Sequence, residues 1–227
     1  MLQVYLVRHG ETVWNAARRI QGQSDSALTE KGELQAHQVG ERVRNLGITH
    51  IIASDLGRTR RTAEIIADAC GCSVITDPRL RELNMGVLEQ RALDSLTLEE
   101  ESWRKSLVDG TVNGRIPQGE SMDEMAERMH QALNTCLDLP AGSRPLLVSH
   151  GMALGVLLST ILGLPANAER RLRLRNCSLS CVEYQESPWL ASGWVVESAG
   201  DTIHLDQSAL DELQIEEKSG TVLHRSP

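Results

Sequence analysis

The chain has 227 residues, 41% of them hydrophobic and 24% charged, and a formal net charge of −8. That length suffices for one domain with a full core, and the acidic balance argues against nucleic acid or an anionic membrane as a general partner. No apolar run approaches the roughly 18 residues of a membrane-crossing helix, Arg8 interrupts the first apolar run so that no signal peptide is expected, and five cysteines without a C-x-x-C pair fit free thiols in a reducing cytoplasm.

Leu2 to Val7 reads as a buried strand running into Arg8-His9-Gly10. Thr29 can cap a helix with Leu34, Ala36, Val43 and Leu46 on its apolar face, ending at Gly47. His50 to Ser54 is a second strand. A helix from Gly57 buries Ala63, Ile65, Ile66 and Ala69 and stops at Gly71, and Ser73 to Thr76 is a third strand. Residues 90–119 hold an acidic cluster, Glu99 to Glu101, before Trp103-Arg104-Lys105; they read as one or two short helices in a lid-like insertion over the sheet. Ser121-x-x-Glu124 is a capping box, opening a helix with Met122, Met125, Met129, Leu133 and either Cys136 or Leu137 on one face.

Pro145 to Ser149 is the next strand and ends at His150-Gly151. An apolar helix follows from Met152 to Leu162, closed by Gly163 and Pro165. Arg171 to Tyr184 and Trp194 to Val196 read as late edge strands, which could pair across a homodimer. Residues 1–213 form the predicted domain, and polar residues 214–227 are expected to be a disordered tail. Strands alternating with helices predict a single α/β domain, with a mostly parallel sheet covered by helices on both faces.

In such sheets ligands bind beyond the carboxyl ends of the strands, and two strands here end in His-Gly, at His9-Gly10 and His150-Gly151. A neutral imidazole is a nucleophile near neutral pH, and Arg8 beside His9 offers a planar fork for phosphate oxygens. Arg58 falls near the first turn of a helix, where an anion is favoured; Arg61 reads as solvated and Arg60 stays open. Glu82 either delivers a proton to a leaving oxygen, if negative charge nearby holds it protonated, or pairs with an arginine. His150, cationic or donating, is placed to stabilise charge on phosphoryl oxygens. His37, His50, His130, His204 and His224 read as structural.

Together, R-H-G-E-T at 8–12, S-x-L-x-R ending in T-A at 54–63, R-E-L-N at 81–84 and S-H-G at 149–151 resemble the histidine phosphatase superfamily in its phosphoglycerate mutase-like branch, over about residues 2–200. The resemblance implies that His9 is the phosphorylated nucleophile, that Arg8, Arg58 and His150 complete a phosphate pocket, and that Glu82 gives and takes the proton. It implies substrate contacts at Gly10, Glu11, Thr12, Asn15, Gln21, Gly22, Arg60, Asn84, Met85, Gly151 and Met152. Arg104 and Lys105 would serve the far end of the substrate.

The partner implied is a small phosphate ester. No carboxylate cluster suits magnesium and no Cys/His spacing suits zinc, so no metal is expected, and 2,3-bisphosphoglycerate would be a cofactor only of a mutase. A phosphate ester bound by so acidic a chain requires a local basic pocket. By resemblance, the insertion, short beside that of dedicated mutases and acidic, and the loop from Arg19 to Asp25, similar to those of the family's phosphatases, favour a phosphatase. Arg104-Lys105, with Arg115 nearby, favours a phosphoglycerate mutase; a domain that only binds phosphorylated ligands or protein partners is the third reading.

Overall fold

The computed structural model describes residues 1–110, 115–190 and 192–206, so the expected tail at 214–227 lies outside the described residues. Six strands form one sheet: β1 (Leu2–Arg8), β2 (His50–Ala53), β3 (Val74–Thr76), β4 (Pro145–Ser149), β5 (Leu179–Gln185) and β6 (Gly193–Asp201), in the order β3-β2-β4-β1-β5-β6. The first four run parallel, whereas β5 and β6 are added antiparallel at the β1 side. The helices are α1 (Val13–Ala16), α2 (Glu30–Arg44), α3 (Gly57–Cys70), α4 (Leu98–Asp109), α5 (Met122–Asn134) and α6 (Gly151–Ile161). None is long and apolar enough to cross a membrane.

The pleat of β1 divides the core in two. Val4 and Leu6 join Leu147, the methionine stripe of α5 and the apolar α6 on one face. Tyr5 and Val7 join Leu146, Val148, α2 and α3 on the other. Thr29 and Ser121 cap α2 and α5 through their hydroxyls, and α3 ends at Gly71, whose φ of 69° is the left-handed conformation that stops a helix. Cys136 is buried and Leu137 exposed, which decides between them for the α5 face.

Two expectations are corrected. Leu34 is 44% exposed; the buried face of α2 is Gly32, Gln35, Ala36, Val39, Gly40 and Val43. Its small residues let α3 approach, so that a Cβ on Gly40 would lie 3.3 Å from that of Ala69. The late strand starts at Leu179, not at Arg171. Residues 171–178 instead form an irregular segment, held by Cys177 N–H on the Arg8 and His9 carbonyls.

The central pair β1–β4 decides where the chemistry sits. Arg8 is in register with Ser149, so the parallel strands release His9 and His150 side by side. The His9 N–H is held by the Ser149 carbonyl at 3.0 Å.

Candidate active site

His9 is 3% exposed, and its ring stands edge-on to that of His150 with centroids 5.2 Å apart. Its Nδ1 lies 2.8 Å from the Gly10 carbonyl. A carbonyl only accepts, so the proton resides on Nδ1 and the lone pair on Nε2. Burial holds the His9 pKa well below 6.5, and the charges of Arg58 and Arg8 lower it further. A neutral imidazole with an uncommitted Nε2 is the form that attacks phosphorus. Gly10 keeps the loop close to α2, because a Cβ there would lie 2.4 Å from the Gly32 carbonyl oxygen.

Arg58 enters from the first turn of α3 and is 1% exposed. Its Nη1 donates to the Ser24 carbonyl at 2.7 Å and to Asp25 Oδ1 at 3.0 Å, and its Nη2 to the Gly22 carbonyl at 2.7 Å. Its Nε donates to His150 Nδ1 at 3.2 Å. Since a guanidinium cannot accept, His150 is the Nε2–H tautomer, with Nε2 2.9 Å from Ser54 Oγ. Burial and the charge of Arg58 hold the His150 pKa well below 6.5 as well. The expected cationic or outward-donating imidazole is therefore not what the structure shows: His150 is neutral, its N–H is given to Ser54, and it orients Arg58.

Arg8 donates from Nη1 to the Leu174 carbonyl at 2.8 Å, while its buried Nε has no hydrogen-bond partner. That Nε is packed against Gly151, where a Cβ would lie 3.2 Å from it, and the guanidinium as a whole is a charge suited to an anion.

Glu82 lies at the start of α6. Its Oε1 accepts from the Leu83 and Ala153 N–H groups at 2.9 and 3.0 Å, and its Oε2 from Met152 N–H at 3.1 Å. Arg58 and Arg170 lie within its electrostatic reach, and no contact with another carboxylate is seen among the described residues. Arg128, which sequence reasoning missed because it sits in an ordinary amphipathic helix, clamps the loop from behind, donating to the Arg79, Arg81 and Glu82 carbonyls at 2.6–2.9 Å.

Arg8, His9, Arg58 and Glu82 open on one cavity of about 630 Å³, whereas His150, fully buried, does not line it. Of the residues expected to touch substrate, Asn15, Gln21, Gly22, Met85, Gly151 and Met152 line it. The others are elsewhere. Thr12 is buried beneath Asn15 and Gln21. Glu11 holds Thr29 and Lys31. Asn84 bonds Gly86 N–H through its side chain. Arg60 is exposed beside Glu64.

Arg104 is not brought into the cavity either, because Glu101 one turn away on α4 takes its guanidinium at 2.7 Å, and Lys105 is exposed; α4 contributes Val108 instead. The missed lining residues are Arg19, Ile20, Arg170, Leu172, Arg173 and Leu174. The dense arginines at 170–175 were the available signal, hidden by their reading as the start of a strand. Asn176, also missed, anchors His9 by donating to its carbonyl at 2.9 Å.

The model of the histidine phosphatase superfamily (branch 1) matches residues 4–197. The chain belongs to the histidine phosphatase superfamily. It is 84% identical, over 94% of its length and all of the relative, to a protein of Erwinia tasmaniensis named a probable phosphoglycerate mutase. Among solved structures it resembles YhfR of Bacillus stearothermophilus with a TM-score of 0.81 and 29% identity, covering 90% of this chain and 99% of that one. A mycobacterial glucosyl-3-phosphoglycerate phosphatase in complex with VO3 gives a TM-score of 0.74 at 25% identity, covering 89% of this chain and all of the other. As a member of this superfamily the chain is an enzyme of phosphoryl transfer.

The two neutral, buried histidines make a prediction for stability in this superfamily member. An unfolded chain protonates both near pH 6.5, whereas the folded chain does so only at lower pH. Stability should therefore be intact above 6.5 and fall as pH drops from 6.5 toward the folded values, by up to about 1.4 kcal/mol per pH unit per histidine. His130 and His204, also lowered by burial, act in the same direction. Thermal melts from about pH 7.5 to about 5.5 should show this decline, and His9→Asn should flatten it. An unchanged slope in that variant would mean that His9 is already charged in the folded protein.

Proposed function

We propose that this chain is a phosphatase acting on a small phosphate monoester through a phosphohistidine at His9. The observation carrying the proposal is that a tautomer-locked neutral His9 lines one cavity together with Arg8, Arg58 and Glu82. The phosphoryl group binds between Arg8, the side of Arg58 open to the cavity, and Asn15, whose Oδ1 is engaged by Thr12 N–H and Asn176. As the dianion arrives, its negative charge favours uptake of a proton by Glu82.

Nε2 of His9 then attacks phosphorus, the ester P–O bond breaks, and the Glu82 proton passes to the departing oxygen. The Gly10 carbonyl accepts from Nδ1–H throughout, supporting the positive charge that develops on the ring. In the second half Glu82 takes a proton from water, the water oxygen attacks phosphorus, and the P–N bond breaks to give inorganic phosphate and neutral His9. The name of the 84% identical relative favours a second reading, a phosphoglycerate mutase using 2,3-bisphosphoglycerate. Against it, the basic pair of α4 that would serve a bisphosphate is turned away from the cavity.

Phosphorus NMR with 3-phosphoglycerate, with and without 2,3-bisphosphoglycerate, separates the two readings. Inorganic phosphate without isomer supports the phosphatase; 2-phosphoglycerate formed only with the bisphosphate makes the chain a mutase. Glu82→Gln should slow release of poor leaving groups such as alkyl alcohols by about 10²–10⁴-fold, and that of p-nitrophenol much less. An equal loss on both would remove Glu82 as the proton donor.

A further inference from the structure

The cavity holds more positive charge than one phosphoryl group needs. Arg8, Arg19, Arg58, Arg170 and Arg173 line it, against one lining carboxylate, Glu82, in a chain of net charge −8. Arg58 is ion-paired with Asp25 at 3.0 Å, and Arg19 donates to the Gln90 carbonyl beside the face of Trp14. Among the described residues, the guanidiniums of Arg170 and Arg173 have neither a hydrogen bond nor an ion pair, and both reach solvent through the cavity. With Arg58 balanced by Asp25 and Glu82 protonated in the substrate complex, a phosphoryl dianion leaves about two positive charges unmatched.

These two arginines are held in place. The Arg170 N–H donates to the Val108 carbonyl at 3.0 Å, joining the segment to α4. Gly110 ends α4 at a φ of 66°, where a Cβ would lie 2.4 Å from the Asn167 carbonyl oxygen, so the insertion packs directly on the approach to Arg170. At the other end the Leu174 carbonyl takes Arg8 Nη1–H, and Asn176 holds the His9 carbonyl. The segment thus spans from the insertion to the nucleophile. Arg170, exposed to solvent, lies within the electrostatic reach of both Glu82 and Arg8.

We propose that Arg170 and Arg173 form a second anion subsite, so that the substrate is a phosphate monoester bearing a further anionic group, such as a carboxylate, on its alcohol portion. The proposal rests on the phosphatase reading for the placement of the phosphoryl group at His9. It moves recognition of the substrate's far end from the α4 pair Arg104-Lys105 to the irregular segment before β5.

The test is calorimetric binding to His9→Ala, which needs no turnover. The ligands are 3-phosphoglycerate and glycerol 3-phosphate, which differ by a carboxylate in place of a hydroxymethyl group. The carboxylate ligand should bind about tenfold tighter, the equivalent of one charge-assisted contact. Adding Arg173→Ala or Arg170→Ala should bring the ratio of the two affinities to within about twofold, with Arg170→Lys restoring part of it. Adding Arg104→Ala, outside the cavity, should leave the ratio unchanged. Equal affinities before any arginine is replaced would overturn the subsite, as would loss of the preference on Arg104→Ala alone. A preserved preference alongside wild-type protein inert toward p-nitrophenyl phosphate and 3-phosphoglycerate would sink the phosphatase reading and leave the subsite standing.

Discussion

His9→Ala is expected to lower turnover of p-nitrophenyl phosphate by about ten-thousandfold or more, with the fold intact. The size of the loss follows from what surrounds the missing ring. Ser54 Oγ is engaged by His150, and Ser149 Oγ donates to the Leu80 carbonyl at 2.7 Å. His150 Nδ1 is occupied by Arg58. The Cys177 thiol is fully buried, and that burial pushes its pKa far up, away from thiolate chemistry. No described neighbour can therefore replace Nε2 as the attacking atom. Wild-type enzyme quenched during turnover should carry an acid-labile, base-stable phosphoryl group, and the variant should carry none. Retained turnover, or label that survives acid, would remove His9 from the reaction.

Legibility of the fold depended on periodicity. The four parallel strands, the capped helices and the two His-Gly strand ends are local patterns, and each lies within a residue or two of its expected place. Leu34 went astray because Gly32, Ala36 and Gly40 on the inner face of α2 leave little hydrophobic signal even though they decide how closely two helices pack. The site divides in the same way. His9, Arg8, Arg58 and His150 each sit at an element terminus, where a charged or polar residue stands out, whereas Glu82 lies in the loop after β3, and all five converge.

What was not legible depends on contacts between distant segments. That His150 spends its N–H on Ser54, and that Glu82 meets backbone donors of α6, follow from packing that no local window contains. Arg104 looked like a binding residue because it is basic and lies in the insertion. Its partner Glu101, three residues earlier, was visible as part of an acidic cluster, but whether the pair would close on itself depends on the helix they share.

Arg58→Ala should cost about 3–5 kcal/mol of folding stability as well as activity, because it removes one member of a buried charged network and leaves the others unpaired. The carbonyls of Gly22 and Ser24 and His150 Nδ1 would lose the guanidinium as donor, whereas Asp25, 37% exposed, would keep the backbone N–H of residue 58. Arg58→Lys separates charge from geometry. A single ammonium cannot reach two carbonyls, a carboxylate and an imidazole in the planar arrangement that a guanidinium provides. The lysine variant should therefore keep much of the stability while losing about 10²-fold in turnover, since misplacing a phosphate-positioning group is costly even when its charge remains. The alanine variant has a second readout. Arg58 is the largest charge holding both imidazole pKa values down, after burial. Without it His9 and His150 should titrate closer to 6.5, so the decline of stability below that pH should become shallower. Urea unfolding at about pH 7.5 and about pH 6 measures both effects. Unchanged stability together with an unchanged pH slope would show that the buried guanidinium neither holds the first loop nor sets the charge state of the two histidines.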